Sequence, residues 1–521
     1  MLTPDYLLRI SEGAEQIASE LHSEIVERVV ERIAIRLGRG DDYILTPIDK
    51  WQLEVLTDAG YLLEELQELI AKKTRLQRSE IKQAFEDAGL KSAEYDDAVY
   101  KAAGLSPTPL LQSPYMVRML QRGYEATQGE WINFTRTTAQ AAQQLFIREC
   151  DKAYNLVSSG ALGYTQAVKE AVDTIARDGV MVTYPSGHTD TIETATLRAV
   201  RTGISQSCAE ITDARMDEMG WDIILVSAHL GARVTDKEDY TNHYWWQGKF
   251  YSKSGRDDRF PPFEVCGMGD VQGIHGANCR HSHGPGDGVH NPFEQFDAEE
   301  NAKLYELQQH QRLLERRIRK TKREVMAEKK FVDTVTDPET KAVMEAEYQK
   351  KAALLQKQNA QYKEFCEANN LKPLQDRLRI ANWDRKQAAA ARGAAKRERK
   401  RLEEQFKYDK IVSELKEKKL IPQNAIVSIP RKALNVSDYV FDNEHINTER
   451  AHGATREDAE TWISTAKISM NVWNGTFEKY YSDEGAVFVN LEEKLLRTAF
   501  SAKEYNEKTK AILEVLKENG Y

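Results

Sequence analysis

At 521 residues the chain is too long for one hydrophobic core, and about three domains is the expectation. A net charge of -9 excludes the basic footprint of a protein that coats nucleic acid over its whole surface, and no apolar run approaches the roughly 20 residues of a membrane helix. Five scattered cysteines argue against a disulfide framework and for a reducing compartment, and the start MLTPDYLLRISEGAEQ lacks the basic-then-apolar order of a secretory signal.

Taken in order, residues 1 to about 38 predict a helix, with Leu7, Ile10, Ile17, Leu21, Ile25 and Val29 on one stripe until Gly38 and Gly40. Thr46-Pro47 opens a second helix carrying Leu53, Leu56, Leu62, Leu66 and Ile70, followed by shorter helical pieces around Ile81 and Ala98. Ser106 to Pro109 is a proline turn, and residues 114–178 are helical, punctuated by Gly160 and Gly163. From 179 the texture changes to a short strand, a Pro185–Gly187 turn, a helix with Leu197, Val200 and Ile204, a second helix across Cys208 and Met216, and a β-rich run Ile223–Val226 ending at His229.

Between Glu299 and Lys410, Leu304, Leu307, Gln311, Leu314, Ile318, Thr321 and Val325 form a heptad-type seam with two polar lapses, which predicts a coiled helical arm projecting from the body. The basic run Lys396–Arg401 has Glu403 and Glu404 beside it, so a solvated helix face competes with a DNA contact and is favoured. The tail holds a short strand in NAIVSIP, a helix opened by a capping box at Thr455, two antiparallel strands around Val487–Val489 and Leu496–Phe500, and a lysine-rich last helix. The fold class is mainly α with α+β parts, divided as a helical body (1–178), a small α+β domain (179–295), a coiled-coil helical arm (296–410) and a small α+β tail domain (411–521).

Chemistry-bearing residues gather between Gly220 and Gly286: His229, His243, Cys266, His275, Cys279, His281 and His283. Cys-x-His-x-His on an extended segment places alternate side chains on one side, so His229, His243, Cys279 and His281 are candidate ligands of a structural zinc. Hydrogen-bonded structural histidines around a buried thiol are the competing reading, and a catalytic Cys–His pair is a third. Trp245 and Trp246, read as strand neighbours, face opposite ways, one in the core and one over a loop.

The blocks YPSGHTDTIETATLRAVRTGISQ (184–206), VSAHLGAR (226–233), WQGKFYS (246–252) and GANCRHSHGPG (276–286), in that order, resemble the phage minor capsid protein 2 family, related in style to head-morphogenesis proteins of the Mu F type. The likeness extends over about 1–405. It implies a structural component of a tailed-phage head or prophage, associated with the portal protein at the portal vertex and with other head proteins, and with packaged DNA. Its place would be the virion, and the host cytoplasm during assembly, with no membrane role. Relatives often carry a further cysteine near the position of His275, in a form resembling CGxNCRH; here His275 and an extra His283 stand instead.

The tail blocks EHINTERAHG (444–453), YYSDEGAVFVN (480–490) and LLRTAFS (495–501) resemble nuclease-like modules of the barnase–EndoU–colicin type. That resemblance implies a metal-independent ribonuclease in which His445 and His452 act as acid and base, Arg450 sits on the phosphate and Thr498 hydrogen-bonds nearby, with RNA as partner. A helix cap with two surface histidines is the competing reading of the same letters.

Overall fold

The computed structural model describes residues 1–40, 44, 46–178, 181–184, 187–293 and 296–521. Two compact units divide it, Met1–Lys396 and Arg397–Tyr521.

In the first unit the opening helix breaks at Ile10-Ser11 into α1 (Pro4–Arg9) and α2 (Glu12–Leu37). The pieces expected after Pro47 are one continuous helix, α3 (Ile48–Ala102), which at 1.5 Å per residue spans roughly 80 Å. Its buried face, Trp51, Val55, Ala59, Leu62, Leu66, Lys73, Gln77, Ile81, Phe85, Ala88, Ser92, Asp96 and Tyr100, keeps helical spacing throughout. The two polar members in its middle find partners elsewhere. Lys73 Nζ lies 2.8 Å from Glu20 and 2.9 Å from Glu24 of α2, and Gln77 donates to the Ala14 carbonyl.

Two further long helices follow, α4 (Pro114–Ser158) and α5 (Tyr164–Asp178), separated by the Gly160–Gly163 break. Then come the hairpin β1 (Met181–Thr183) and β2 (Thr189–Thr191) and the single helix α6 (Ile192–Met219), where two helices were expected. Pro185 and Ser186 of the expected turn lie outside the described residues. Helices α4 and α6 approach closely through reciprocal glycines: a Cβ on Gly123 would lie 1.9 Å from Ser207 Oγ, and one on Gly203 2.3 Å from Thr127 Oγ1.

Gly220, at φ 63°, ends α6 in the left-handed conformation. The chain then enters a three-stranded antiparallel sheet of β3 (Ile223–Val226), β4 (Phe250–Ser252) and β5 (His283–Pro285), in the order β4-β3-β5. The residues between these strands form a loop-rich knot. Trp245 and Trp246 sit on a single helical turn, α7 (His243–Trp246), and not on a strand. Trp246 is still fully buried while Trp245 is only partly so, because successive residues of a helical turn diverge as well.

The heptad seam lies on α8 (Ala298–Thr334), and each of its residues is buried or half-buried. Its polar lapse at Gln311 is explained by Nε2, which donates to the Lys372 carbonyl at 3.0 Å. Helix α8 pairs with α9 (Pro338–Ala368), yet this pair does not project as a free arm. Ala327, Phe331 and Val332 of α8, Val335 just after it and Met344 of α9 join the same core as α2, α3, α4 and α5. The ion pair of Arg323 with Glu193 of α6, whose Oε2 also meets His22 Nδ1 at 3.0 Å, fastens α8 there.

Glu328 of α8 is fully buried, and burial raises its pKa well above the carboxylate range. Asp173 of α5 adds to the rise, Lys351 of α9 opposes it and Glu347 adds a little. The folded chain therefore keeps a proton that the unfolded chain releases above about pH 4.3. Its stabilisation is full below the unfolded pKa and is lost as pH climbs toward the folded one. Glu328→Gln is expected to flatten this decline and raise the urea midpoint at pH 8; an unchanged pH slope would point to another group.

The helix α10 (Arg385–Glu417) carries the basic run, with Arg399 facing Glu403, Lys400 facing Glu404 and Arg401 bound to Glu398. These pairs support a solvated face.

The second unit is a six-stranded sheet in the order β6-β8-β9-β10-β11-β7, antiparallel except where β11 pairs with β7. The strands are β6 (Ile426–Ser428), β7 (Val440–Phe441), β8 (Ile468–Val472), β9 (Phe477–Tyr481), β10 (Gly485–Asn490) and β11 (Leu495–Ser501). One face packs Val487, Val489, Leu496 and Ala499 under α11 (Arg456–Thr465), whose Thr455–Asp458 capping box is formed. The other packs Ile468, Met470, Tyr481 and Ala486 against the end of α10 and α12 (Glu507–Glu518).

Candidate functional site

The knot positions its side chains with a set of hydrogen bonds to its own backbone. Asn242 caps α7 by accepting from Trp245 N, and its Nδ2 donates to the carbonyls of Thr235 and Lys237. This holds His243, whose Nε2–H donates to the Gln272 carbonyl at 2.8 Å and leaves Nδ1 with the lone pair. His281 Nε2 lies 3.0 Å from Gln247 Oε1, so its Nδ1 also keeps a lone pair, 3.6 Å from Cys279 Sγ. The ligand atoms of His243, Cys279 and His281 all lie within 4.8 Å of one another, and all three residues are buried. Zn–N and Zn–S bonds of about 2.0–2.3 Å require ligand atoms roughly 3.3–3.8 Å apart, so the 3.6 Å pair already fits. The carbonyl and amide oxygens behind each imidazole are the usual supports of a metal-bound histidine.

Burial pushes His243 down to about 4 and His281 well below the ordinary histidine range, so both are neutral and able to ligate. Burial raises the Cys279 thiol, which opposes a free nucleophilic thiolate. The arrangement could hold a metal ion. His229 stacks on His281 at 4.5 Å, but its Nδ1 is 3.2 Å from Arg280 Nη2, and it lies outside the three-residue group.

A second cluster escaped the sequence reading. Ser205 Oγ lies 2.8 Å from His275 Nδ1, His275 Nε2 lies 2.8 Å from His283 Nδ1, and His283 Nε2 is 3.4 Å from Asp213. Ser205 and Asp213 sit eight residues apart on one face of α6, and nothing local there signals the histidines that reach it. Ser205, His275 and His283 are all buried, so the line ties the knot to α6 and offers no nucleophile to a substrate. His275 and His283 thus bond to each other.

In the second unit, Asp442 accepts from His445 N, and Glu449 Oε2 takes His445 Nδ1–H at 2.6 Å. Glu504 Oε2 takes His452 Nδ1–H at 2.8 Å. Each histidine thereby keeps an Nε2 that has no partner among the described residues. Both belong to one hydrogen-bonded loop, since Arg450 N donates to the His445 carbonyl and His452 N to that of Ile446. The His452 ring lies 5.4 Å from Phe500, and Thr498 shares the face of β11 with Phe500. Arg450 is exposed with no side-chain partner among the described residues.

Register adds a residue that the sequence reading missed: Phe488 pairs with Thr498 on one side and Lys479 on the other, placing all three in one row. Lys479 Nζ lies 4.4 Å from the Phe488 ring centroid, and burial lowers its pKa. The alternation in FEKYY was its only signal.

The fold and the knot therefore define a helical body with a buried His/Cys centre. The model of the family described as phage minor capsid protein 2 matches residues 2–367, and the chain belongs to this family. It is accordingly a structural component of the phage head, in the virion with other head proteins. No curated protein and no solved structure gives a match.

Proposed function

We propose that the chain is a minor head protein at the portal vertex, where it assists DNA passage, and that its knot is a zinc-stapled mount. The observation that supports this reading is the burial of His243 and His281, together with Cys279, in hydrogen-bonded contacts. Such a centre stiffens a surface and does not turn over a substrate. Co-expression with the portal protein should yield a co-purifying complex, and a portal ring that emerges without this chain would count against the placement.

The zinc part has its own readout. Protein purified without added metal should contain close to one zinc per chain, lost in both Cys279→Ser and His281→Ala. Zinc content unchanged in those variants would remove the assignment.

A second reading is favoured by the paired free imidazole nitrogens of the second unit: a ribonuclease carried on the head protein. One imidazole takes the proton of an RNA 2′-hydroxyl as its oxygen attacks phosphorus. The other protonates the departing 5′-oxygen, leaving a cyclic phosphate. Glu449 and Glu504 orient the rings, Arg450 and Lys479 face the developing phosphorane charge, and Thr498 donates a hydrogen bond.

A further inference from the structure

A row of rings runs from His452 across the sheet of the second unit. Phe500 of β11 lies 5.4 Å from the His452 ring and 5.6 Å from Phe488 of β10. Lys479 Nζ of β9 stands 4.4 Å from the Phe488 centroid and 5.3 Å from that of Trp473, whose ring meets Phe477 edge-on at 4.7 Å. Each member touches the next, so the row is one continuous surface. Beside it Ile468, Tyr481 and Ala486 are buried, whereas Phe477, Lys479, Phe488 and Phe500 are half-buried and Trp473 is 63 % exposed.

Two details set this surface apart from uncovered core. Trp473, Asn474 and Gly475, in the turn from β8 to β9, have φ of 50°, 55° and 103°. A tryptophan in the left-handed region is strained, and strain of this kind collects at ligand clamps. The second detail is charge. Lys479 has no ion pair or side-chain hydrogen bond among the described residues, and burial alone acts on it. The acids of the turn after β10 are engaged elsewhere, Glu492 by Thr476 Oγ1 and Glu493 by Asn490 Nδ2. A cation half-sunk among rings without a carboxylate suits a phosphate.

We propose that Trp473 and Phe477 form a base-stacking platform for single-stranded RNA, with Lys479 meeting the phosphate between the platform and His452. The proposal rests on the ribonuclease reading of this unit and names how its substrate is held. Two strand spacings of about 4.8 Å separate β9 from β11, so a strand whose phosphate lies at His452 carries a neighbouring base over the platform. Every base has a π-face, so the platform selects unpaired strands and not a sequence.

The test measures fluorescence polarisation of a labelled 2′-O-methyl RNA tetranucleotide on the full-length chain; the methyl group blocks the attacking hydroxyl, so binding is read without cleavage. Trp473→Ala should weaken binding about 10-fold or more, and Trp473→Phe should restore most of it. An abasic strand of the same length should bind the parent only as weakly as the RNA binds Trp473→Ala. Cleavage of unmodified RNA, measured in parallel, separates this proposal from the reading beneath it. A parent that binds in this pattern yet cleaves no better than His452→Ala keeps the platform and loses the enzyme. The platform is overturned if the parent does not bind, or if the abasic strand binds as tightly as the RNA. An RNA affinity unmoved by Trp473→Ala, as for a surface that receives a protein, would overturn it too.

Discussion

His452→Ala in the full-length chain is expected to lower cleavage of a labelled single-stranded RNA by about 10²–10⁴-fold, the span typical of losing a general acid or base. The expectation rests on the His452 Nδ1–Glu504 contact, which leaves Nε2 as the working nitrogen, and on the contact of its ring with Phe500 beside the Thr498 face. His445→Ala should be comparably damaging, because acid and base act in one step. Lys479→Met should lower the rate while leaving a bell-shaped pH profile in place, since it removes a charge facing the phosphorane and no proton carrier. Folding must be matched among the variants by circular dichroism. Cleavage by the parent indistinguishable from that of His452→Ala would leave the second unit with no ribonuclease role.

How much was legible beforehand depended on whether a residue's partner was near it in sequence. The seam on α8 and the capping box at Thr455 are local patterns, and they stand in the fold. Helix α3 was broken into pieces because Lys73 and Gln77 interrupt an apolar stripe. Their partners, Glu20, Glu24 and the Ala14 carbonyl, lie about 50 residues or more earlier. Gln311 shows the same thing on α8, with its acceptor at Lys372 across a helix pair. In the knot, Cys279 and His281 were evident as neighbours, and His243 was drawn in by composition. Ser205 and Asp213 were not, because nothing local on α6 indicates that two histidines will reach it. In the tail, β8 and β9 were missed, and Lys479 with them, since a row across a sheet exists only once register is known.

The knot's dependence on close backbone approach leads to the other large effect: Gly273→Ala is expected to destabilise the first unit by about 3 kcal/mol or more and to abolish zinc retention. A Cβ at Gly273 would lie 2.0 Å from the Gly267 carbonyl oxygen and 2.9 Å from that of Cys266. Those atoms are backbone and cannot rotate away, so the two segments must separate. Separation breaks the bond from Ile274 N to the Cys266 carbonyl, 2.9 Å in the fold. It also displaces the Gln272 carbonyl that orients His243 and shifts His275 from Ser205. Gly269 provides the control within the same loop. Its φ of +93° strains an alanine, but nothing lies within 4 Å of the added carbon, so Gly269→Ala should cost only about 1 kcal/mol. Urea midpoints and zinc content measured together separate the two causes. Equal losses in both variants would show that backbone conformation, and not the approach of the two segments, sets the stability of the knot.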